Sequence, residues 1–219
     1  MHLRLDELIP EPYRVHLKEV LGSKLELPVS LAVETCAGCE NCDRAVKLAK
    51  ELSGLEPRIT MTVRRSGRAQ TEGRSAEGPK LPAIVIGGRR PSSVTFFGAP
   101  IGSELDVLVD AIFAASRSRS RLPAGLATRL RELPDEVRAE VFVSPACRRC
   151  PPVARFLMEA SMESPKVRVD IVEAFEFPEL ARRYDVRNVP TVVLGSGAVK
   201  LRDATVAGVA SLLLSTARA

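Results

Sequence analysis

The chain has 219 residues, 45% of them hydrophobic, and 32 basic side chains against 27 acidic ones give a net charge of +5. That is enough apolar material for one large core or two small ones. No stretch approaches the 18 apolar residues of a membrane span, and charges interrupt the amino terminus where a signal peptide needs a continuous apolar run, so the expected protein is soluble and cytoplasmic, without a membrane partner. Basic clusters at Arg64 to Arg68 and Arg117 to Arg121 lie in Gly/Ser-rich connections, and with no Trp and two Tyr there is no stacking ladder. Nucleic acid is therefore not an expected partner.

Leu3 to Leu21 alternates apolar and charged positions at helical spacing and is interrupted by Pro10 and Pro12, which predicts one or two short helices. Leu25 to Val33 reads as a strand. Cys42 to Leu52 sets Ala45, Val46, Leu48, Ala49 and Leu52 on one helical face, with Ser53-Gly54 as its end. Arg58 to Val63 is a second strand, and the polar, Gly-rich stretch from Arg64 to Lys80 reads as a loop. Leu81 to Ile86 and Ser93 to Phe97 predict a hairpin about Gly87-Gly88, followed by an amphipathic helix from Ile101 to Ala115.

Arg117 to Ala124 links the halves, giving expected units at 1–116 and 117–219. The second half reads helix (Gly125 to Leu133), strand (Glu140 to Ser144), helix (Cys150 to Met162), strand (Val167 to Val172) and helix (Pro178 to Tyr184). A hairpin of Val189 to Leu194 with Val199 to Arg202 and a helix from Val206 to Thr216 complete it.

The same marks occur once in each half. Cys39-Glu-Asn-Cys42 recurs as Cys147-Arg-Arg-Cys150, and Leu81-Pro82 recurs as Val189-Pro190, both 108 positions on (147 − 39 and 190 − 82). In each half the first cysteine stands 43 residues before the proline (82 − 39 and 190 − 147), so a whole unit is duplicated. Four of the five cysteines thus form Cys-x-x-Cys pairs, which in a reducing compartment points to redox chemistry or metal binding rather than a structural framework.

A thiol at a helix start faces unpaired N–H groups and the positive end of the helix dipole, which stabilise the thiolate. Cys39 and Cys147 are the expected nucleophiles, and the more buried Cys42 and Cys150 resolve the mixed disulfide. A proline opening a strand beside such a pair, in cis, turns the preceding peptide groups outward toward an extended substrate. Leu81, Pro82, Val189 and Pro190 are therefore expected to bind substrate. Arg148 and Arg149 should modulate the second pair by lowering its nucleophile's pKa, while Glu40 and Asp43 act oppositely on the first. Cys36, three residues before Cys39, reads either as an auxiliary thiol or as an unpaired loop residue.

Val141-Phe-Val-Ser-Pro-Ala-Cys147-Arg-Arg-Cys150-Pro and the run from Val172 to Pro190 resemble the two-unit protein disulfide oxidoreductases, glutaredoxin-like proteins made of tandem thioredoxin folds. Cys42 to Leu52 and Phe96-Phe-Gly-Ala-Pro100 fit the same family. The resemblance implies an α/β fold of two tandem thioredoxin-like units, each a four-stranded mixed sheet flanked by helices. It also implies an enzyme that reduces, forms or isomerises disulfides of protein substrates with no bound cofactor, drawing electrons from an NADPH-dependent, thioredoxin-reductase-like flavoprotein. Alternative readings are an electron-transfer module for a peroxidase, or a metal or iron-sulfur protein using Cys36, Cys39 and Cys42. A cysteine hydrolase, which needs a base close to its thiolate, is rejected, because the only histidines, His2 and His16, lie in the amino-terminal helical segment, where a satisfied or surface role is expected.

Overall fold

The computed structural model describes residues 8–39, 41–66, 80–88, 94–117, 120–195 and 199–215. The first half contains α1 (Glu11–Lys24), β1 (Val29–Cys36), α2 (Cys42–Leu55), β2 (Ile59–Ser66), β3 (Ala83–Gly87), β4 (Val94–Phe97) and α3 (Ser103–Ser116). The second contains α4 (Ala124–Arg131), β5 (Val137–Val143), α5 (Cys150–Glu163), β6 (Val167–Glu173), α6 (Pro178–Arg183), β7 (Thr191–Leu194), β8 (Val199–Leu201) and α7 (Val206–Ser215).

Several boundaries differ from the predicted ones for simple reasons. Pro10 is the N-cap of α1 and Pro12 lies in its first turn, where a missing N–H costs nothing, so one helix forms instead of two short ones. Leu25 caps that helix, which moves the start of β1 from Leu25 to Val29. Gly54 does not end α2, because Leu55 beyond it is buried against the core. Arg64 and Arg65 are not loop residues: they extend β2 opposite Glu34 and Thr35 of β1. Lys80, expected in the same loop, is buried. Residues 67–79, His2, Glu40, Ser93, Gly197 and Thr216 lie outside the described residues, as do 118–119 within the second basic cluster.

The eight strands of the described residues form one mixed sheet in the order β2-β1-β3-β4-β6-β5-β7-β8. Within each half a parallel pair (β1 with β2, β5 with β6) is followed by an antiparallel strand and a hairpin (β3 with β4, β7 with β8). The halves join where β4 runs parallel to β6, from Val94 opposite Val169 to Phe97 opposite Val172.

Strand alternation sorts the side chains onto two faces. One carries the larger core, in which Val29, Leu31 and Val33 of β1 and Val141 and Val143 of β5 meet α1, α2, α3, α5 and α7. Ala45, Leu48, Ala49 and Leu52 are fully buried there, whereas Val46, assigned to the same stripe, is only partly so. Removing a Leu48 or Leu52 side chain from water is worth about 1.5–3 kcal/mol. On the opposite face Ala83, Phe97, Phe142, Val172 and Val193 pack beneath α6 with Leu180 and Tyr184.

A buried ion pair crosses the junction of the halves. Lys80, just before β3, reaches Glu140 of β5, the two side chains being 8% and 3% exposed. The ammonium also lies 5.3 Å from the centre of the Phe97 ring. Beside it Arg138 donates to Asp170 at 2.8 Å. Arg117 further along pairs with Glu159 at 2.7 Å, tying the end of α3 to α5. No helix among the described residues is long and apolar enough to cross a membrane.

Candidate active site

Each half presents its cysteine pair in the turn that follows its first parallel strand. Cys39 is disulfide-bonded to Cys42, with Cα atoms 5.4 Å apart, and Cys147 to Cys150, with 5.5 Å. The sequence placed the first cysteine of each pair at the helix start, but α2 and α5 begin at the second. The first cysteine sits one tight turn earlier, where its carbonyl accepts the N–H of Cys42 at 3.3 Å or of Cys150 at 3.2 Å. Cys42 and Cys150 are 4% and 1% exposed, and Cys39 and Cys147 are half-buried, so the outer sulfur is the accessible one in both pairs.

The Leu81-Pro82 and Val189-Pro190 peptide bonds are both cis. Each proline carbonyl accepts an N–H from the end of the adjoining hairpin, Gly98 to Pro82 and Ala204 to Pro190, both at 2.9 Å. In the second half the Cys147 sulfur lies 3.7 Å from the Val189 carbonyl oxygen, which brings the predicted nucleophile and the predicted substrate edge together. Arg148 and Arg149 are exposed. Arg149 donates to Asp203 at 3.1 Å and lies 3.5 Å from the Val189 carbonyl. Asp203, at a φ of 48°, also accepts from the Asn188 amide at 2.6 Å.

Cys36 is a free thiol at the end of β1, half-buried, and not in the turn where the sequence put it. Cys39 is bonded to Cys42, and Cys36 stands apart from the pair as a free thiol. No group of three or more His, Cys, Asp and Glu side chains among the described residues could hold a metal ion.

Sequence reasoning missed what the first half contributes to the second pair. Ser103, at the start of α3, donates its hydroxyl to the carbonyls of Ser144 and Cys147, both at 3.3 Å, and its N–H to Pro145 at 2.9 Å. Gly102 before it has a φ of 57°, and a Cβ there would stand 2.8 Å from the Pro145 oxygen, so the close approach requires glycine. Glu104 follows, 3% exposed, with one carboxylate oxygen unpartnered and with Glu173 and Glu176 nearby. Burial, reinforced by those two carboxylates, pushes its pKa up to about 9. Burial also raises Glu173 and Glu176, against the opposing bonds from the N–H groups of Glu176 and Ala99 respectively. Glu176 in turn lies 3.8 Å from Arg44 on α2, two residues beyond Cys42. No motif signals these groups, since their partners are more than 40 residues away.

The proton on Glu104 has a stability consequence. The unfolded chain releases it near pH 4.5, while the native state holds it to about pH 9, so the folded form binds more protons in that window. Stability therefore falls as pH rises from about 5 to 9. Glu104→Gln should flatten this decline in melting temperature across the window, and an unchanged slope would show that Glu104 is not the group responsible.

The thioredoxin-domain family profile matches residues 137–202. Over 195 residues the chain is 26% identical to the AhpF component of alkyl hydroperoxide reductase from Staphylococcus aureus strain MRSA252, covering 85% of this chain and 36% of that protein. The chain thus spans about a third of the length of the curated relatives it matches. Among solved structures, the NTD_N/C domain of alkyl hydroperoxide reductase AhpF from Enterococcus faecalis (V583) superposes with a TM-score of 0.81 at 25% identity, over 93% of this chain and 99% of that one. A protein disulfide oxidoreductase from Aeropyrum pernix K1 superposes with a TM-score of 0.79 at 23% identity, over 96% of this chain and 94% of that one. The duplicated Cys-x-x-Cys pairs, the one mixed sheet and these likenesses over nearly its whole length show that the chain has the fold of two tandem thioredoxin-like units, with a thioredoxin domain in its second half.

Proposed function

We propose that the protein is a cytoplasmic protein disulfide oxidoreductase made of units 1–116 and 117–219, with its main site at Cys147 and Cys150. The observation that carries this reading is the half-exposed Cys147 sulfur beside the outward carbonyl of Val189, with the buried Cys150 behind it. An extended substrate chain pairs with the backbone around Val189 and presents its disulfide to the Cys147 thiolate. That thiolate attacks one substrate sulfur and the other leaves as a thiolate. Cys150 then attacks the Cys147 sulfur, releasing the second substrate thiol and leaving the Cys147–Cys150 disulfide, so the two electrons come from the protein dithiol. Cys39, Cys42, Leu81 and Pro82 repeat the arrangement in the first unit. An NADPH-dependent, thioredoxin-reductase-like flavoprotein restores the dithiols. Cys150→Ser should trap a covalent complex with a disulfide-bearing protein that thiol reductant releases, and failure to trap any would sink the reading.

A second reading, an electron-transfer module for a peroxidase, is favoured by the match over 85% of this chain to the AhpF component of alkyl hydroperoxide reductase. A coupled assay with flavoprotein reductase, NADPH and a peroxiredoxin separates the two. Peroxide-dependent NADPH loss that requires this chain, without general insulin reduction, selects the module.

The local charges also predict an order of potentials. Arg148 has no ion-pair partner among the described residues, whereas Arg149 shares its charge with Asp203, and the first pair is followed by the exposed Asp43. The second pair should be the more oxidising, on the order of 30 mV for a stabilisation of about 1.4 kcal/mol of its reduced form. Redox titration of single-pair variants checks this, and equal potentials or the opposite order would refute the charge argument.

A further inference from the structure

Resting on the proposed disulfide exchange at Cys147, we infer that Arg149 is a specificity-determining residue that selects disulfides flanked by a carboxylate. Two groups converge on one atom, the Val189 carbonyl oxygen: the Cys147 sulfur at 3.7 Å and the Arg149 guanidinium at 3.5 Å, the latter also donating to Asp203 at 3.1 Å. A substrate strand that pairs with Val189 while its sulfur meets Cys147 must lay the residue beside its cysteine against Arg149. The Arg149 side chain is 67% exposed and its guanidinium carries five donors, so it can take a second carboxylate in a forked, two-bond geometry while still touching Asp203. Asp203, itself 55% exposed and held by Asn188, aims the guanidinium across the mouth of the site. An exposed pair of this kind is weak, which lets an incoming carboxylate compete with Asp203.

The first unit provides an internal contrast. The position equivalent to Arg149 is Asn41, which carries no charge, and the one before the carbonyl-bonded hairpin end, filled by Asp203 in the second unit, is the buried Phe97. The first unit therefore lacks a cation at the position that Arg149 fills in the second. The neighbouring Arg187 and Arg202 add little to it, because both are already paired with Asp185, at 2.9 and 2.5 Å.

The test uses the full-length protein, dithiothreitol as electron source and three disulfide peptides identical except for Glu, Gln or Lys beside the attacked cysteine. The Glu peptide should be reduced about fivefold faster in kcat/KM than the Gln peptide, the size of one exposed ion pair, and the Lys peptide more slowly than either. The preference should shrink as salt rises. Arg149→Gln should bring the Glu-to-Gln ratio close to one, Arg149→Lys should keep part of it, and Asp203→Asn should raise it by removing the competing carboxylate. A wild-type ratio near one, or a ratio that Arg149→Gln leaves unchanged, would overturn the assignment. If none of the three peptides is reduced, the disulfide exchange itself is what has failed.

Discussion

Cys147→Ser is expected to lower insulin disulfide reduction about tenfold or more, because a serine hydroxyl supplies no thiolate to attack the substrate. The prediction rests on asymmetry between the two pairs. At the second, the accessible sulfur, an edge carbonyl and a cationic side chain lie together, and Ser103 braces the turn by bonding the Cys147 carbonyl. At the first, Asn41 and the exposed Asp43 offer no positive charge to the thiolate. Cys39→Ser should therefore retain most of the activity. Near-full turnover in Cys147→Ser, with loss in Cys39→Ser, would transfer the main site to the first unit.

Lys80→Met should destabilise the fold by about 3–5 kcal/mol, since it strands the Glu140 carboxylate without its cation in a buried setting. Replacing both partners by apolar groups removes that uncompensated charge, so Lys80→Met with Glu140→Leu should recover most of the loss. Urea unfolding of the two variants checks it. A cost below about 1 kcal/mol for the single variant would mean that the ion pair does not hold the seam. The penalty should appear as a joint weakening of both halves, because Lys80 precedes β3 of one and Glu140 lies on β5 of the other.

What could be read from the chain was whatever repeats or alternates locally. The 108-residue offset, the stripe of Ala45, Leu48, Ala49 and Leu52, and the strand-opening prolines each leave a mark in one dimension, and each corresponds to an element of the structure. The polar neighbours of Lys80 predict a loop, and only the arrival of Glu140 from the other half explains its burial. The same holds for Ser103 and Glu104, which look like an ordinary helix start until the turn at Pro145 is laid against them. Asp203 belonged to a short hairpin end with no signature, and its role as a partner for Arg149 depends on a left-handed backbone that spacing does not disclose.

The β4–β6 pairing has a consequence for how electrons travel. Through β3, β4 and β6, strand β5 runs in the same direction as β1, so both cysteine turns emerge from the same end of the sheet, and α2 and α5 lie against the same core. Four strand spacings separate β1 from β5, about 19 Å, whereas disulfide exchange needs sulfurs within about 2 Å of one another. A continuous hydrogen-bonded sheet gives the two pairs no hinge by which to close that gap. Two pairs held apart in this way exchange no disulfide with each other directly, so any transfer between them would have to pass through the thiols of a third molecule.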